Sequence, residues 1–224
     1  MTKFNDIKGV VFDLDGVITD TARFHAQAWH ALATELGVKW DDELASGLKG
    51  LSRMDSLELI LKHGGIEAKY NDEEKQRYAT EKNTNYKHLI QQLTPDDIYP
   101  GMKEFLNELK DGGYKMSLAS ASKNAPTILE HLELTDYFKK IVDPASLHRG
   151  KPDPEIFIKA AELIDLKPEE CLGLEDAVAG IAGINAAHET SVGIGDSDVL
   201  TEADMVFSNT KNVTLENIKT NMEK

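Results

Sequence analysis

Short apolar runs alternate with amphipathic helical patterns along most of the chain. The runs have the length of buried strands, and they predict strands at residues 8–13, 114–119, 140–142, 171–175, 191–194 and 205–207. Patterns with helical spacing between these runs predict helices at residues 100–110, 125–132, 154–164 and 178–188. Strands that alternate with helices are typical of a parallel sheet covered on both faces. We therefore predict an α/β fold with a Rossmann-like parallel-sheet core.

One long interval lacks a strand pattern. Residues 21–94 carry only helical patterns, which predict helices at residues 23–36, 42–48, 55–63 and 72–93. A helical block directly after the first strand indicates an inserted domain. The predicted organisation is a core domain formed by residues 1–20 and 95–224, with a small α-helical cap domain at residues 21–94. Because the insertion leaves and rejoins the core beside the first strand, we expect it to act as a lid.

The acidic composition narrows the choice of partners. The 224 residues include 39 Asp and Glu against 25 Lys and Arg, which gives a formal net charge of −14. We expect no nucleic-acid partner, because binding a phosphate backbone needs a basic face. An anionic substrate would need a local cluster of basic side chains, or a bound cation, to overcome the general repulsion.

The sequence carries no pattern of a membrane span or an export signal. No window approaches the roughly 18 consecutive apolar residues of a membrane span, and the N-terminal MTKFNDIKG lacks an apolar stretch. Cys171 is the only cysteine, which excludes an internal disulfide and a thiolate metal cluster. Its apolar surroundings predict a buried, inert thiol. We expect a cytoplasmic protein with no membrane partner.

Two aspartates follow the first predicted strand, in the segment VVFDLDGVITDT. Asp13 ends the apolar run and Asp15 lies two residues further on, in the loop where parallel α/β sheets bind ligands. The alternative is a turn cap or a structural calcium loop, but the calcium pattern needs a third acidic position before its glycine. Two carboxylates in a cleft are costly unless a cation or a proton compensates their charge. The pair therefore favours a functional site.

A second acidic pair ends another apolar strand. Glu175 and Asp176 close the segment CLGLEDA, at the position that Asp13 has on the first strand. One such pair alone is a weak signal, because many strands end in acidic turns. Two strand ends that each supply hard oxygen ligands predict a magnesium site, and magnesium favours sites that it shares with a phosphate.

Two further segments supply hydroxyl and basic groups. In SLASASKNA, Ser120 and Ser122 end a predicted strand, and Lys123 with Asn124 opens the next helix. A helix start with a nearby lysine can bind an anion, although a serine-rich helix cap explains the same residues. In HRGKPDPEIF, Lys151 precedes a predicted helix, and on its own it would be interpreted as a solvated loop charge.

Taken together, these four motifs resemble those of the haloacid dehalogenase superfamily of phosphotransferases. They occur in the expected order and spacing, and the resemblance extends over nearly the whole chain. The helical insertion after the first motif resembles the small α-helical cap of that superfamily. The resemblance implies a Rossmann-like core with an inserted helical cap and a magnesium-dependent phosphotransferase.

Within the superfamily the chain is similar to sugar-phosphate mutases, through segments such as FDLDGVITDTARFHAQAW, LKGLSRMDSL, EKNTNY and LASASKN. The resemblance implies that Asp13 is the nucleophile and carries the phosphoryl group as an aspartyl phosphate. It implies that Asp15 is the general acid and base, and that Ser120 and Lys151 bind the transferred phosphate. One magnesium ion would be held by Asp13, the main-chain carbonyl of Asp15 and Asp176, with Glu175 beside them.

A mutase that handles a sugar bisphosphate needs a second phosphate site. The resemblance implies that Arg53 of the cap forms it together with Ser122, Lys123 and Asn124 of the core, and that Thr21 and His25 help to align Asp15 when the cap closes. The alternative interpretations are that the segment around Arg53 is only a polar loop between helices and that His25 is a structural residue. The predicted substrate-binding residues are Thr21, His25, Lys49, Gly50, Leu51, Arg53, Lys82, Ser122, Lys123 and Asn124.

The expected reaction converts β-glucose 1-phosphate to glucose 6-phosphate, with β-glucose 1,6-bisphosphate as the priming intermediate. Two other functions stay open: a sugar-phosphate phosphatase of the same superfamily, and a non-catalytic sugar-phosphate sensor. The segment around Arg53 favours the mutase over the phosphatase, and the intact Asp13 argues against the sensor. We expect small sugar phosphates to be the only partners and the chain to be a monomer.

Overall fold

The structure is a computed structural model that describes residues 3–48 and 51–223. The packing of the backbone divides the chain into two compact units, Met1–Asp20 with Leu93–Lys224, and Thr21–Gln92. The sequence predicted the second boundary between residues 94 and 95, two residues later. The action of the smaller unit as a cap stays a prediction.

The larger unit contains a five-stranded sheet in which every strand pair is parallel. The strands are β1 (Gly9–Phe12), β2 (Lys115–Leu118), β3 (Cys171–Glu175), β4 (Thr190–Ile194) and β5 (Met205–Phe207). Their spatial order is β2-β1-β3-β4-β5. All residues of β1 and β3 are buried, as expected for central strands of a parallel sheet covered on both faces. The predicted Rossmann-like α/β class is confirmed.

Helices supply the remaining regular structure. The smaller unit holds α1 (Ala22–Glu35), α2 (Asp42–Gly47), α3 (Arg53–His63) and α4 (Asp72–Ile90), and the larger unit holds α5 (Met102–Asp111), α6 (Ala125–His131), α7 (Glu155–Leu163), α8 (Val178–Ala187) and α9 (Leu215–Met222). The last of these was not predicted. Within the described residues, none of these helices is long and apolar enough to cross a membrane.

The strand predicted at residues 140–142 is wrong. Ile141 forms only an isolated bridge to Leu118, through hydrogen bonds that Leu118 N donates to Lys140 O and Val142 N donates to Leu118 O. The apolar run comprises only Ile141 and Val142, and a 3₁₀ turn at Pro144–Ser146 follows after Asp143. The backbone therefore leaves the sheet edge after a single pair.

The core of the larger unit has two sides, because successive residues of a strand point to opposite faces. Val11 packs in a cluster with Phe157 of α7 and Cys171 of β3. Phe12 packs on the other side, with its ring centroid 6.2 Å from that of Phe105 and 5.3 Å from that of Phe138. Cys171 is fully buried as predicted, and burial raises the pKa of its thiol.

The smaller unit has its own apolar core. Trp29 of α1 packs there with Leu57 and Ile60 of α3 and Ala79 of α4. Side chains cap the starts of α2, α3 and α4 but not of α1. At the start of α3, Ser52 Oγ accepts a hydrogen bond from Asp55 N at 3.3 Å. The burial of Trp29 agrees with its interpretation as a core residue.

Candidate active site

Polar residues meet at the carboxyl ends of three neighbouring strands. Asp13 follows β1, Glu175 is the last residue of β3, and Ser120 lies two residues after β2. The order of the sheet changes direction here, because β2 lies on one side of β1 and β3 on the other. Such a switch point is where parallel α/β sheets open a crevice for a ligand.

Lys151 lies between two buried carboxylates. Its Nζ donates to Asp13 Oδ1 at 2.6 Å and to Glu175 Oε2 at 2.7 Å. The side chains of Lys151, Asp13 and Glu175 are 15%, 10% and 2% exposed. Burial opposes the ammonium charge, yet the two carboxylates outweigh it and raise the pKa of Lys151 above its usual range. Lys151 is therefore not a solvated loop charge.

The carboxylates of the site crowd one another. Burial raises the pKa of Asp13 to about 7, although Lys151 acts in the opposite direction. Burial, followed by the charge of Asp13, raises the pKa of Asp176 to about 6. Desolvation of the half-buried Asp15, followed by the charges of Asp13 and Asp176, raises the pKa of this group well above its usual range. The ammonium of Lys151 alone does not balance the negative charge of these carboxylates.

The residues fit a divalent cation. Asp13, Glu175 and Asp176 each offer a carboxylate oxygen, and these oxygens all lie within 4.8 Å of one another. Asp15 Oδ1 is buried without a hydrogen-bond partner among the described residues. Carboxylate oxygens are the ligands that Mg²⁺ uses, usually together with waters and a phosphate. The site can therefore hold a metal ion, while the identity of the ion stays a prediction.

Two glycines that were not among the predicted site residues shape this site. Gly16 has φ +80°, and a Cβ at this position would lie 2.0 Å from Asp176 Oδ2. A Cβ on Gly180 of α8 would likewise lie 2.0 Å from the carboxyl carbon Cδ of Glu175. The available signal was that each glycine lies within a few residues of an acidic pair, three residues after Asp13 and five residues after Glu175. Because glycine has no side chain, the loop after β1 and the helix after β3 can approach the carboxylates closely.

The segment after β2 forms a polar turn before α6. Ser120 Oγ accepts a hydrogen bond from Ser122 N, and Ser122 Oγ accepts one from Asn124 N, both at 3.2 Å. Ser120 and Asn124 are buried, whereas Lys123 is exposed. These bonds order the turn before α6 and do not cap the helix, because its N-cap residue Asn124 makes no side-chain cap bond. They leave the hydroxyl proton of Ser120 available as a donor, so the predicted contact with a phosphate stays open.

In the smaller unit, two predicted substrate-binding residues form a pair. Lys82 Nζ lies 2.9 Å from His25 Nδ1 and 4.4 Å from the ring centroid of Trp29. Burial, then the charges of Lys82 and Arg53, lowers the pKa of His25 to about 3. The imidazole is therefore neutral, and because Nδ1 faces an ammonium donor, Nε2 carries the proton. Thr21 precedes α1, and its buried Oγ1 has no hydrogen-bond partner within the described ranges.

The predicted phosphate loop lies only partly within the described residues. Arg53 begins α3 and its Nη2 donates to Asn83 Oδ1 at 2.8 Å. Leu51 is 43% exposed. Lys49 and Gly50 lie outside the described residues. A second phosphate site that joins Arg53 to Ser122, Lys123 and Asn124 therefore stays a prediction.

Comparison with known proteins assigns the family. Residues 7–188 match the family model of the haloacid dehalogenase-like hydrolases. The chain belongs to this family. The resemblance indicated by the four motifs is thereby confirmed.

Two relatives in this family are β-phosphoglucomutases. The chain is 47% identical to the β-phosphoglucomutase of Bacillus subtilis over 210 residues, which cover 94% of this chain and 93% of that protein. The crystal structure of β-phosphoglucomutase from Clostridium difficile matches with a TM-score of 0.93 and 42% identity, over 97% of both chains.

A more distant relative is a phosphatase. The phosphorylated carbohydrates phosphatase of Thermotoga maritima is 27% identical over 208 residues, which cover 89% of this chain and 93% of that protein. The Bacillus subtilis and Clostridium difficile mutases are thus markedly more similar to the chain than this phosphatase.

Proposed function

We propose that this protein is a magnesium-dependent β-phosphoglucomutase, which interconverts β-glucose 1-phosphate and glucose 6-phosphate. The observation that carries the proposal is the 47% identity to a β-phosphoglucomutase over 94% of the chain. The ion-paired arrangement of Asp13, Lys151 and Glu175 at the sheet switch point supports it, because phosphoryl transfer depends on positioning and on compensation of charge.

Asp13 is the proposed nucleophile. Its carboxylate attacks phosphorus and carries the phosphoryl group as an aspartyl phosphate, which divides the transfer into two steps. Lys151 binds Oδ1 of this carboxylate, and Oδ2 is the proposed attacking oxygen. As negative charge moves onto the phosphoryl oxygens in the transition state, the same ammonium and the hydroxyl of Ser120 stabilise it.

Asp15 is the proposed general acid and base. It gives a proton to the sugar oxygen that leaves phosphorus and later removes one from the attacking hydroxyl. The raised pKa of Asp15 supports this role, because an aspartate with its ordinary pKa would be ionised at neutral pH and could not act as an acid.

A magnesium ion completes the proposed site. Asp13, Asp176 and the main-chain carbonyl of Asp15 would hold it, with Glu175 beside them. Bound there, it supplies positive charge that compensates the carboxylates and the phosphoryl oxygens. Glu175 keeps its orientation through the backbone amides of Asp176 and Ala177, which donate to Glu175 Oε1 at 3.2 Å.

The mutase reaction needs β-glucose 1,6-bisphosphate to bind in two orientations, so that each phosphate in turn lies beside Asp13. We propose that Arg53, Lys82 and His25 of the smaller unit and Ser122, Lys123 and Asn124 of the larger unit bind the rest of this substrate. The neutral His25, with its proton on Nε2, suits a contact with a sugar oxygen better than one with a phosphate. We also propose that the chain works as a cytoplasmic monomer on small sugar phosphates.

The alternative function is a sugar-phosphate phosphatase, which the Thermotoga maritima relative represents. One assay separates the two. The protein is incubated with β-glucose 1-phosphate, Mg²⁺ and a trace of β-glucose 1,6-bisphosphate, and glucose 6-phosphate is measured beside free phosphate. A mutase forms glucose 6-phosphate in large excess over free phosphate. Stoichiometric release of free phosphate would instead assign a phosphatase.

A further inference from the structure

The active-site lysine lies in a segment without helix or strand. A 3₁₀ turn ends at Ser146 and α7 begins at Glu155, and Lys151 lies between them. An irregular segment of this kind has no backbone ladder to fix it, so the position of the Lys151 ammonium depends on the side chains that bind the segment.

One side chain at the start of α7 binds this segment at several points. Glu155 Oε2 accepts hydrogen bonds from the backbone amides of His148 and Arg149, at 2.7 Å and 3.0 Å. Glu155 Oε1 lies 2.9 Å from His148 Nδ1 and accepts a bond from Lys159 Nζ at 2.7 Å. Both carboxylate oxygens are thus used, and two of the bonds reach the backbone just before Lys151.

We call the bonds from Glu155 to residues 148 and 149 the clamp. Two neighbouring residues add further bonds to it. Lys159, one turn further along α7, donates to Ser146 O at 2.6 Å as well as to Glu155. Asp153 N donates to Gly150 O at 3.0 Å and closes the turn that contains Lys151. Before Lys151, the segment is therefore bound to the start of α7. Around Lys151, the bond between Asp153 and Gly150 turns the backbone back on itself.

The clamp depends on a charged acceptor. The bonds from Lys159 and His148 hold the pKa of Glu155 well below its usual range, so the group is ionised at any pH at which the protein works. Glu155 makes no bond with Asp13 or Glu175 among its described contacts. Any effect it has on the site must pass through the segment it binds.

We propose that Glu155 is a positioning residue for Lys151, which it holds between Asp13 and Glu175 by binding the backbone of residues 148 and 149. The inference rests on the proposed function only in that Lys151 is assigned there to phosphoryl transfer. A displacement of a catalytic group by about 1 Å costs about 100-fold in rate. Glu155→Ala should therefore slow phosphorylation of Asp13 by about 10- to 100-fold.

A double-mutant cycle tests whether Glu155 acts through Lys151. The rate of Asp13 phosphorylation by acetyl phosphate is measured with Mg²⁺ for the wild type, Glu155→Ala, Lys151→Met and the double variant. Glu155→Ala should cost little once Lys151 is already absent. An equal loss in both backgrounds would overturn the proposal. Glu162→Ala is the matched control, because it removes an exposed carboxylate from the same helix, α7.

A second measurement does not depend on activity. The wild type and Glu155→Ala, both saturated with Mg²⁺, are treated with an amine-acylating reagent, and the labelling of each lysine is followed by mass spectrometry. Labelling of Lys151 should rise several-fold in Glu155→Ala. Labelling of the exposed Lys115, whose Nζ donates to Ile164 O in the same unit, should stay unchanged and so control for reagent activity, while an unchanged circular dichroism spectrum excludes general unfolding.

The outcomes separate this inference from the proposed function. If the wild type forms no glucose 6-phosphate while Lys151 labelling rises in Glu155→Ala, the mutase assignment fails and the positioning role stands. If the wild type is a mutase and Lys151 labelling is unchanged by Glu155→Ala, the positioning role is wrong. Glu155→Gln, which keeps one acceptor oxygen, should fall between the wild type and Glu155→Ala in both measurements.

Discussion

The ammonium of Lys151 lies 2.6 Å from Oδ1 of Asp13, although the two residues are 138 positions apart in the chain. The contact brings a cation to the carboxylate that is the proposed nucleophile. Without this cation, Asp13 and Glu175 would be buried beside each other with no described positive partner. Their mutual repulsion would then favour protonation, and a protonated carboxyl group is a poor nucleophile.

Lys151→Met tests this relationship. The substitution keeps most of the side-chain volume and removes the charge that stabilises the transferred phosphoryl group. We expect the rate of Asp13 phosphorylation to fall by about 10²–10³-fold, the loss typical of one preorganised donor. Lys219→Met on the exposed surface of α9 is the control and should retain the wild-type rate. A variant of Lys151 with normal phosphorylation would contradict its role.

Asp176→Ala tests the predicted metal site. The substitution removes one of the three carboxylates whose oxygens lie within 4.8 Å, so the Mg²⁺ concentration for half-maximal activity should rise by at least about tenfold. Asp196→Ala, just beyond the end of β4 at the same edge of the sheet, should leave the titration unchanged. If the Mg²⁺ titration of Asp176→Ala matches the wild type, Asp176 is not a ligand.

Asp15→Asn tests the proton transfer. The amide keeps the shape of the side chain but cannot give or take the proton, so mutase turnover should fall by about 10²–10⁴-fold. Binding of glucose 6-phosphate and Mg²⁺, measured by calorimetry, should change little. Loss of binding together with turnover would show that Asp15 has a structural role instead.

Arg53→Ala separates the two proposed phosphate sites. Removing a charge-assisted contact to the second phosphate should cost about 2–5 kcal/mol of transition-state stabilisation with β-glucose 1-phosphate. Hydrolysis of acetyl phosphate, which has no second phosphate, should be nearly unaffected. Arg77→Ala, at a side chain of α4 that is 59% exposed, is the control. An equal loss with both substrates would contradict the two-site model.

Glu189→Gln tests an acidic group outside the active site. Glu189 is 4% exposed, both of its carboxyl oxygens lack a hydrogen-bond partner among the described residues, and burial raises its pKa well above the usual range. The folded state therefore binds a proton that the unfolded state releases once the pH exceeds about 4.3. Above that pH the folded protein loses stability with rising pH, until the pKa of folded Glu189 is passed.

The glutamine variant removes this dependence. The free energy of unfolding of Glu189→Gln, relative to wild type, should therefore rise by up to about 1.4 kcal/mol per pH unit above about pH 4.3. Urea titrations at several pH values measure the difference, with Glu162→Gln at an exposed position of α7 as the control. A difference that does not vary with pH would show that Glu189 is not protonated in the folded state.

Features that depend on neighbouring residues were largely predictable from the sequence. The strand at Cys171–Glu175 was predicted with its observed bounds, because a continuous apolar run with a polar end specifies a buried strand. The parallel arrangement of such strands then brings Asp13 and Glu175 to one edge. The proximity of these acidic residues could therefore be predicted from the local hydrophobic pattern and the general topology of parallel sheets.

Contacts between distant segments were not predictable in this way. The clamp of Glu155 on residues 148 and 149 depends on how an irregular segment folds back onto α7, and no periodic pattern encodes it. The helix Leu215–Met222 was missed because its single buried residue, Ile218, leaves almost no apolar pattern. The partners of Lys82 and His25 likewise depend on the packing of α1 against α4.

The burial of Cys171 has a practical consequence for spectroscopy. Its thiol is fully covered and burial raises its pKa, so a maleimide dye should leave it unmodified in the folded protein. New cysteines can therefore be labelled selectively without first replacing the native one. A donor at Lys39→Cys in the smaller unit and an acceptor at Asp136→Cys in the larger unit, both highly exposed, would let single-molecule fluorescence follow the distance between the units during turnover.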